Sequence, residues 1–169
     1  AEVHIQGAWN IEAGDAFAAY AGWLLPFDAP IVLVVDSPEQ EVDVRDELLR
    51  IGFDKVLGHL AGGMEAWLAV GGETSSYATA SWQELRRPGD ERVLDVRQPY
   101  EWRDGAIPGC ERVFVADLPS RISGLDPEAH YLVACRTGVR AAIAASMLDA
   151  AGISARPVVD GGVPALSAD

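Results

Sequence analysis

A chain of 169 residues has room for one medium-sized domain or two small ones, and its 49% hydrophobic and 23% charged residues are ordinary for a packed protein. The net charge of -13 argues against a nucleic acid or an anionic membrane as partner, because phosphate groups are bound mainly by lysine and arginine. The sequence has no apolar run of the roughly 18 to 20 residues that a membrane helix needs, and no signal-peptide pattern, so we expect a cytoplasmic protein.

The sequence contains two cysteines, Cys110 and Cys135, which are too few for a disulfide framework and suit a reducing compartment. Cysteine chemistry must therefore depend on one residue or one pair. The three histidines are scattered, without the spacing of a zinc site. We expect no metal centre and no cofactor.

In the first half, an apolar run predicts a strand over Ile31–Val35. A helix is expected over Pro38–Ile51, with Ser37 as its N-cap and Gln40 reaching back to the cap. A short strand near Val56 follows. This order of strand, helix and strand is typical of a parallel sheet.

A polar, glycine-rich stretch over residues 71–76 has the composition of a linker, and Ser81 to Glu84 then has the pattern of a capping box. Beyond it, a strand is predicted over Arg92–Val96, a short helix from Pro99 to Gly105, and a strand near Arg112–Val115.

The last part repeats the alternation. The apolar run Tyr131–Ala134 predicts a buried strand, a loop begins at Cys135, an alanine-rich helix is expected over Arg140–Ala151, and a strand over Pro157–Val159. Strands alternating with helices predict an α/β fold with mostly parallel sheets flanked by helices.

The two halves have related patterns. Asp36 and Cys135 are 99 residues apart, as are Gly62 and Gly161, and in each half a strand and a helix connect them in the same order. We therefore predict two similar modules, over residues 1–73 and 74–169. Asp36 stands at the position of Cys135 and has no thiol, so it cannot perform cysteine chemistry and the first module should be inactive.

The first half lacks a strand comparable to Arg92–Val96. In a parallel sheet such a strand usually lies centrally, and its absence leaves backbone groups unpaired. We therefore expect that the first module is incomplete and that the chain is a fragment of a longer protein.

The loop from Cys135 to Arg140 has the features of a reactive thiol site. Cys135 follows a buried strand and precedes a helix, so that backbone N–H groups and the helix N-terminus can face its sulfur. Gly138 allows the backbone to curl, and Arg136 and Arg140 supply cationic donors. This setting favours the thiolate, which is the nucleophilic form.

Several motifs resemble those of the rhodanese family. They are Asp95-Val96-Arg97 with Glu101-Trp102, the turn Gly105-Ala106-Ile107-Pro108-Gly109, and the six-residue loop from Cys135 to Arg140. The resemblance implies a sulfurtransferase in which catalytic Cys135 takes sulfane sulfur from thiosulfate or a persulfide and passes it to a thiol or cyanide. It also implies that the donor, a small sulfur-containing anion, is bound by Arg136, Thr137, Gly138, Val139 and Arg140.

The first half resembles the tandem rhodanese segment that follows a metallo-β-lactamase-like domain in some bacterial proteins, through residues 21–26 and 60–67. This resemblance implies an upstream metallo-β-lactamase-like domain as partner. Three positions depart from the family pattern: Ala106 replaces a histidine, and Pro164 and Leu166 stand where the first half has Glu65 and Trp67.

Other interpretations remain open. Cys135 could be a buried packing residue, and both halves could form a non-catalytic interaction module. Cysteine phosphatases use a similar loop, but they place five residues between cysteine and arginine, whereas four separate Cys135 from Arg140. Cys110 could act as a resolving thiol or fill a small position after a turn. Asp95, Arg97 and Glu101 could be acid–base groups, although an ion-paired cluster is the preferred interpretation.

Overall fold

The computed structural model describes residues 3–103, 105 and 107–161, in which short strands alternate with helices. The strands are β1 (His4–Ile5), β2 (Ile31–Leu33), β3 (Val56–His59), β4 (Thr74–Ser75), β5 (Arg92–Asp95), β6 (Glu111–Arg112), β7 (Tyr131–Ala134) and β8 (Ala155–Pro157). The α-helices are α1 (Phe17–Leu24), α2 (Pro38–Arg50), α3 (Gly63–Ala69), α4 (Trp82–Leu85), α5 (Leu118–Arg121) and α6 (Val139–Ala150). Single 3-10 turns lie at Glu101–Arg103, Val115–Asp117 and Ile122–Gly124.

The chain divides into two compact units. One is Ile11–Thr74, and the other combines Ala1–Asn10 with Ser75–Asp169. We call them the first unit and the second unit. The boundary predicted at residue 73 and the assignment of both units as rhodanese-like modules stay predictions.

In the first unit, β2 and β3 pair in parallel, and α2 connects them. The helix begins where the sequence predicts, because the Ser37 hydroxyl accepts a hydrogen bond from the Gln40 N–H at 3.2 Å. The Gln40 side chain reaches one residue further back than expected, and it accepts from the Asp36 N–H at 2.8 Å. Helices α1 and α2 both contribute to the core of this unit, which includes Phe17, Ala21, Leu33, Val44, Leu48, Phe53 and Val56.

The second unit contains a four-stranded parallel sheet in the order β6-β5-β7-β8. Strand β7 lies between β5 and β8, and all four of its residues are buried. This burial explains why Tyr131–Ala134 is apolar at every position instead of alternating, as expected for a parallel strand covered on both faces. Seven residues of α6, four of them from Ala141 to Ala145, are also buried.

The sequence prediction of a mixed α/β fold with a parallel sheet is therefore confirmed, but several elements are shorter than predicted. The helix expected from Pro99 to Gly105 is a single 3-10 turn, Glu101–Arg103. The strand expected near Arg112–Val115 ends at Arg112, because Val115 begins the next 3-10 turn.

None of the described helices is long and apolar enough to cross a bilayer. The cytoplasmic location expected from the sequence stays a prediction. Ala106, Pro164 and Leu166, the three positions that depart from the family pattern, lie outside the described residues.

Candidate active site

Cys135 lies directly after β7, at the carboxyl end of the central part of the sheet. In open parallel sheets this end is where ligands bind, since the loops that follow the strands converge there. The side chain is buried, with 1% of the residue exposed. The fold therefore places a free thiol at the expected edge of the sheet and limits access to it.

The loop after Cys135 curls so that a backbone donor faces the sulfur. The Gly138 N–H donates to Cys135 Sγ at 3.1 Å. Gly138 has φ 99°, a conformation that side chains disfavour, and a Cβ atom there would lie 3.0 Å from the Cα atom of Val159. Glycine is thus required both by the backbone angle and by the close approach of the chain after β8.

The other loop residues differ in exposure. Arg136 and Thr137 are exposed, whereas Val139 and Arg140 are half-buried at the first turn of α6. The N-terminus of this 12-residue helix directs its positive end toward the loop. The structure therefore places a buried sulfur, an aligned amide and one exposed cationic side chain, that of Arg136, in the same short loop.

Arg140 is held by an acidic partner. Its guanidinium donates to both carboxylate oxygens of Glu101, with distances of 2.5 Å to Oε2 and 3.0 Å to Oε1. Both side chains are largely buried, at 11% and 9% exposure. In this structure the charge of Arg140 is directed to Glu101, a contact that the sequence interpretation of Arg140 as a donor ligand did not include.

A second buried ion pair fixes the segment that carries Glu101. Arg97 donates to Asp95 through Nε and Nη2, the latter at 2.7 Å, and to the backbone carbonyls of Glu101 and Gly105 at 3.1 and 2.7 Å. The Glu101 carboxylate in turn accepts from the Gln98 N–H at 2.9 Å. The ion-paired cluster preferred on sequence grounds is present, and its role is to hold the turn after β5 in place.

The contact with Arg140 lowers the pKa of Glu101. A lowered pKa in the folded state means that the ion pair contributes its full stability above the usual value of about 4.3 and loses it as the pH falls through the lower folded value. We therefore expect Glu101→Gln to decrease the free energy of unfolding most at pH 6 to 7, and progressively less below about pH 4. Urea denaturation of both proteins across this range measures the difference.

An exposed glutamate in the same unit is the control. Glu128→Gln should change the free energy of unfolding little at any of these pH values. A deficit of Glu101→Gln that stayed constant from pH 7 to pH 3 would contradict the assignment of stability to the charged pair.

Cys110 is set apart from Cys135 by the sheet. Glu111 on β6 and Val133 on β7 both lie opposite Leu94 on β5, which lies between them. The cysteines are therefore separated by two strand spacings across the sheet and by about three residues along the strands. That corresponds to roughly 14 Å, well beyond the reach of a disulfide without movement of the backbone. Cys110 packs against the cluster that contains Ile107 and Leu132, in agreement with a packing role.

The Glu101–Arg140 contact is the feature of this site that the sequence interpretation missed. The two residues are 39 positions apart, so no local spacing indicates that they meet. A signal did exist: Glu101 follows β5 and Arg140 follows β7, and the loops after neighbouring parallel strands converge at one edge of a sheet. Within the described residues, no group of three or more His, Cys, Asp or Glu is placed to hold a metal ion.

The second unit is similar to several known proteins. Residues 79–169 match the rhodanese-like domain family. A Bacillus subtilis protein named "Putative sulfurtransferase YtwF" is 31% identical over 81 residues, which are 47% of this chain and 79% of that protein. A rhodanese-related protein of Thermoplasma volcanium is 28% identical, with a TM-score of 0.49 over 53% of this chain and 89% of that one. The human single-domain sulfurtransferase TSTD1 is 25% identical, with a TM-score of 0.47 over 56% of this chain and 99% of that one.

Proposed function

The chain belongs to the rhodanese-like domain family, and we propose that its second unit is a sulfurtransferase that carries sulfur on Cys135. The observation that supports this most directly is the Gly138 N–H aimed at Cys135 Sγ at 3.1 Å, in a loop at the carboxyl end of β7. A packing cysteine does not require a donor of this kind, whereas a thiolate and a persulfide anion are both stabilised by one.

The proposed reaction is a double displacement. The Cys135 thiolate attacks the sulfane sulfur of thiosulfate or of a persulfide, and a new S–S bond forms while the donor's S–S bond breaks. The leaving sulfite or thiolate keeps the electron pair. An acceptor thiolate or cyanide then attacks the outer sulfur of the Cys135 persulfide, and the Cys135 thiolate is regenerated. Oxidation states balance over the cycle, and it requires no cofactor.

Within this proposal the loop residues have different tasks. The Gly138 amide stabilises the charged sulfur, and Arg136 and Thr137, which are exposed, bind the anionic donor as it enters. Val139 and Arg140 begin α6 and set the shape of the loop beneath the donor. Arg140 contributes through its position, since Glu101 holds its guanidinium and pairs its charge.

Intact mass spectrometry tests the proposal. After incubation with thiosulfate and removal of small molecules, the protein should gain about 32 Da, the mass of one sulfur atom, and reducing agents should remove it. Cys135→Ser should abolish the gain, and Cys110→Ser should retain it. Absence of any adduct with thiosulfate and with a persulfide donor, or an adduct that persists in Cys135→Ser, would overturn the proposal.

The burial of Cys135, with 1% exposure, favours an alternative in which the second unit is a non-catalytic interaction module. The same mass measurement separates the two functions, because a thiol that only packs gains no sulfur.

We propose further that the first unit is an incomplete, inactive rhodanese-like module. In it β2, α2 and β3 follow the same order as β7, α6 and β8, and Asp36 stands at the start of α2.

An adjacent metallo-β-lactamase-like domain stays a proposal that rests on the resemblance of the first half alone. Sequencing of the complete reading frame would test it directly.

A further inference from the structure

Glu101 removes one of the two cationic charges that the active loop carries. The Glu101 carboxylate binds both terminal nitrogens of Arg140, and neither side chain is more than 11% exposed. A bidentate pair of this kind is short and directional, so the guanidinium is both neutralised and fixed in orientation. Arg97, the cation of the ion-paired cluster that holds the turn after β5, is neutralised in the same way by Asp95.

Arg136 is therefore the loop cation that remains available. It is exposed, and it has no ion-pair partner among the described residues. Apart from the Cys135 sulfur, the side chains of the loop and of its supporting cluster then sum to about one positive charge: Arg136 counts fully, and the pairs of Arg140 with Glu101 and of Arg97 with Asp95 count as zero. Among the described residues of the loop and its supporting cluster, a donor with two negative charges thus meets one unpaired cation.

We infer that Glu101 is a specificity-determining residue, which acts through Arg140 and sets the charge of the sulfur donor that the loop accepts. The inference rests on the proposed sulfurtransferase function. By pairing Arg140, Glu101 favours donors with one negative charge, such as simple alkyl persulfides and thiosulfonates, relative to dianionic thiosulfate. Release of Arg140 from its carboxylate partner would shift the preference toward the dianion.

Two donors that differ by one charge test this directly. Thiosulfate is a dianion, and methanethiosulfonate is a monoanion with the same sulfane sulfur next to an SO2 group. In both reactions the Cys135 thiolate attacks the sulfane sulfur, and sulfite or methanesulfinate leaves with the electron pair. The quantity to measure is the ratio of the second-order rate constants of Cys135 persulfide formation, thiosulfate over methanethiosulfonate.

Glu101→Gln keeps the size of the side chain and one acceptor oxygen, replaces the other oxygen with an NH2 donor, and removes the negative charge. We expect Glu101→Gln to raise the ratio of the rate constants by on the order of tenfold, because the site gains one unit of positive charge whose effect solvent screens in part. Arg140→Gln leaves Glu101 unpaired and should lower the ratio. The double variant E101Q/R140Q has the same net charge as the wild type and should return the ratio to within about twofold of the wild-type value. Restoration by the double variant is not expected if the single variants act only by distorting the loop.

If Glu101→Gln does not fold, Arg136→Gln provides a second test. Arg136 is exposed, so its replacement should leave the fold intact. It should lower the ratio by on the order of tenfold. An unchanged ratio in folded Glu101→Gln, or in Arg136→Gln, would overturn the inference, although both donors still load Cys135. Failure of the wild type to load with either donor would instead contradict the proposed function.

Discussion

Replacement of Gly138 by alanine should both destabilise the second unit and disable the loop. At φ 99° the backbone strain alone costs roughly 1–3 kcal/mol for a residue with a side chain. The new Cβ atom would also lie 3.0 Å from Val159 Cα and 3.2 Å from the Val158 carbonyl oxygen, which are backbone atoms that cannot rotate away. A backbone shift that relieves this contact would move the N–H of residue 138 away from Cys135 Sγ. We expect persulfide formation to slow by on the order of a hundredfold, as for the loss of one oriented donor.

Gly152→Ala is the matched control. Gly152 also has a positive φ, 76°, but a Cβ atom at that position meets nothing within 4 Å. It should cost only the strain of the left-handed conformation, about 1–2 kcal/mol, and leave persulfide formation unchanged. Urea denaturation and the rate of sulfur loading, followed by mass, measure both effects. Equal loading rates in Gly138→Ala and Gly152→Ala would show that the amide at the sulfur is dispensable.

Replacement of Arg97 by leucine should have the largest effect on stability among the charged residues. Asp95 is fully buried, and Arg97 is its ion-pair partner. In Arg97→Leu the carbonyls of Glu101 and Gly105 lose the guanidinium donors, and the buried Asp95 carboxylate keeps only the bond from the backbone N–H of residue 97 out of those that residue 97 supplies. Removal of one member of a buried ion pair typically costs about 3–5 kcal/mol, because the remaining charge is uncompensated. Thermal and urea denaturation should both show the loss.

Arg92→Leu provides the comparison for Arg97→Leu, because Arg92 begins the same strand, β5, and also binds an aspartate, Asp126, at 2.7 Å. That pair is half-exposed, so its loss should cost less than about 1 kcal/mol. A double variant, Asp95→Asn with Arg97→Leu, should recover part of the stability lost in Arg97→Leu, since residue 95 then carries no uncompensated buried charge. Equal costs for Arg92→Leu and Arg97→Leu would show that burial of Asp95 is unimportant.

Much of the site follows from the sequence because the informative signals are local. The apolar run before Cys135, Gly138 in the loop and the alanine-rich helix after it are contiguous, and the structure places β7, the curled loop and α6 within a residue or two of the predicted bounds. The Ser81 capping box is likewise formed by neighbours, and both of its hydrogen bonds are present. Local hydrogen bonds and helix periodicity depend on residues a few positions apart, which a sequence displays directly.

The features that the sequence did not predict depend on tertiary contacts. The turn at Glu101–Arg103 was expected to be a longer helix, but Arg97 binds the carbonyls of Glu101 and Gly105, which fixes this segment outside a regular helix. The pairing of Glu101 with Arg140 requires knowledge that β5 and β7 are neighbours. Strand order is determined by packing across the whole sheet, so residue spacing alone does not indicate which charges meet.

The two outer strands of the four-stranded sheet also bear on its resistance to aggregation. The Tyr131 N–H donates to the Ser154 carbonyl, and the Val158 N–H donates to the Val133 carbonyl. Because backbone groups alternate in direction along a strand, the backbone of Pro157 faces the outer side of the sheet, away from β7. An N–H on that side would lack a partner in the four-stranded sheet. Proline has no such donor, and Ala80 bonds to the adjacent carbonyl of Pro157. At the opposite edge, β6 is two residues long and both are charged. Short, charged or proline-containing edges discourage pairing with a second sheet, so this sheet should stay unpaired with other copies even at high protein concentration.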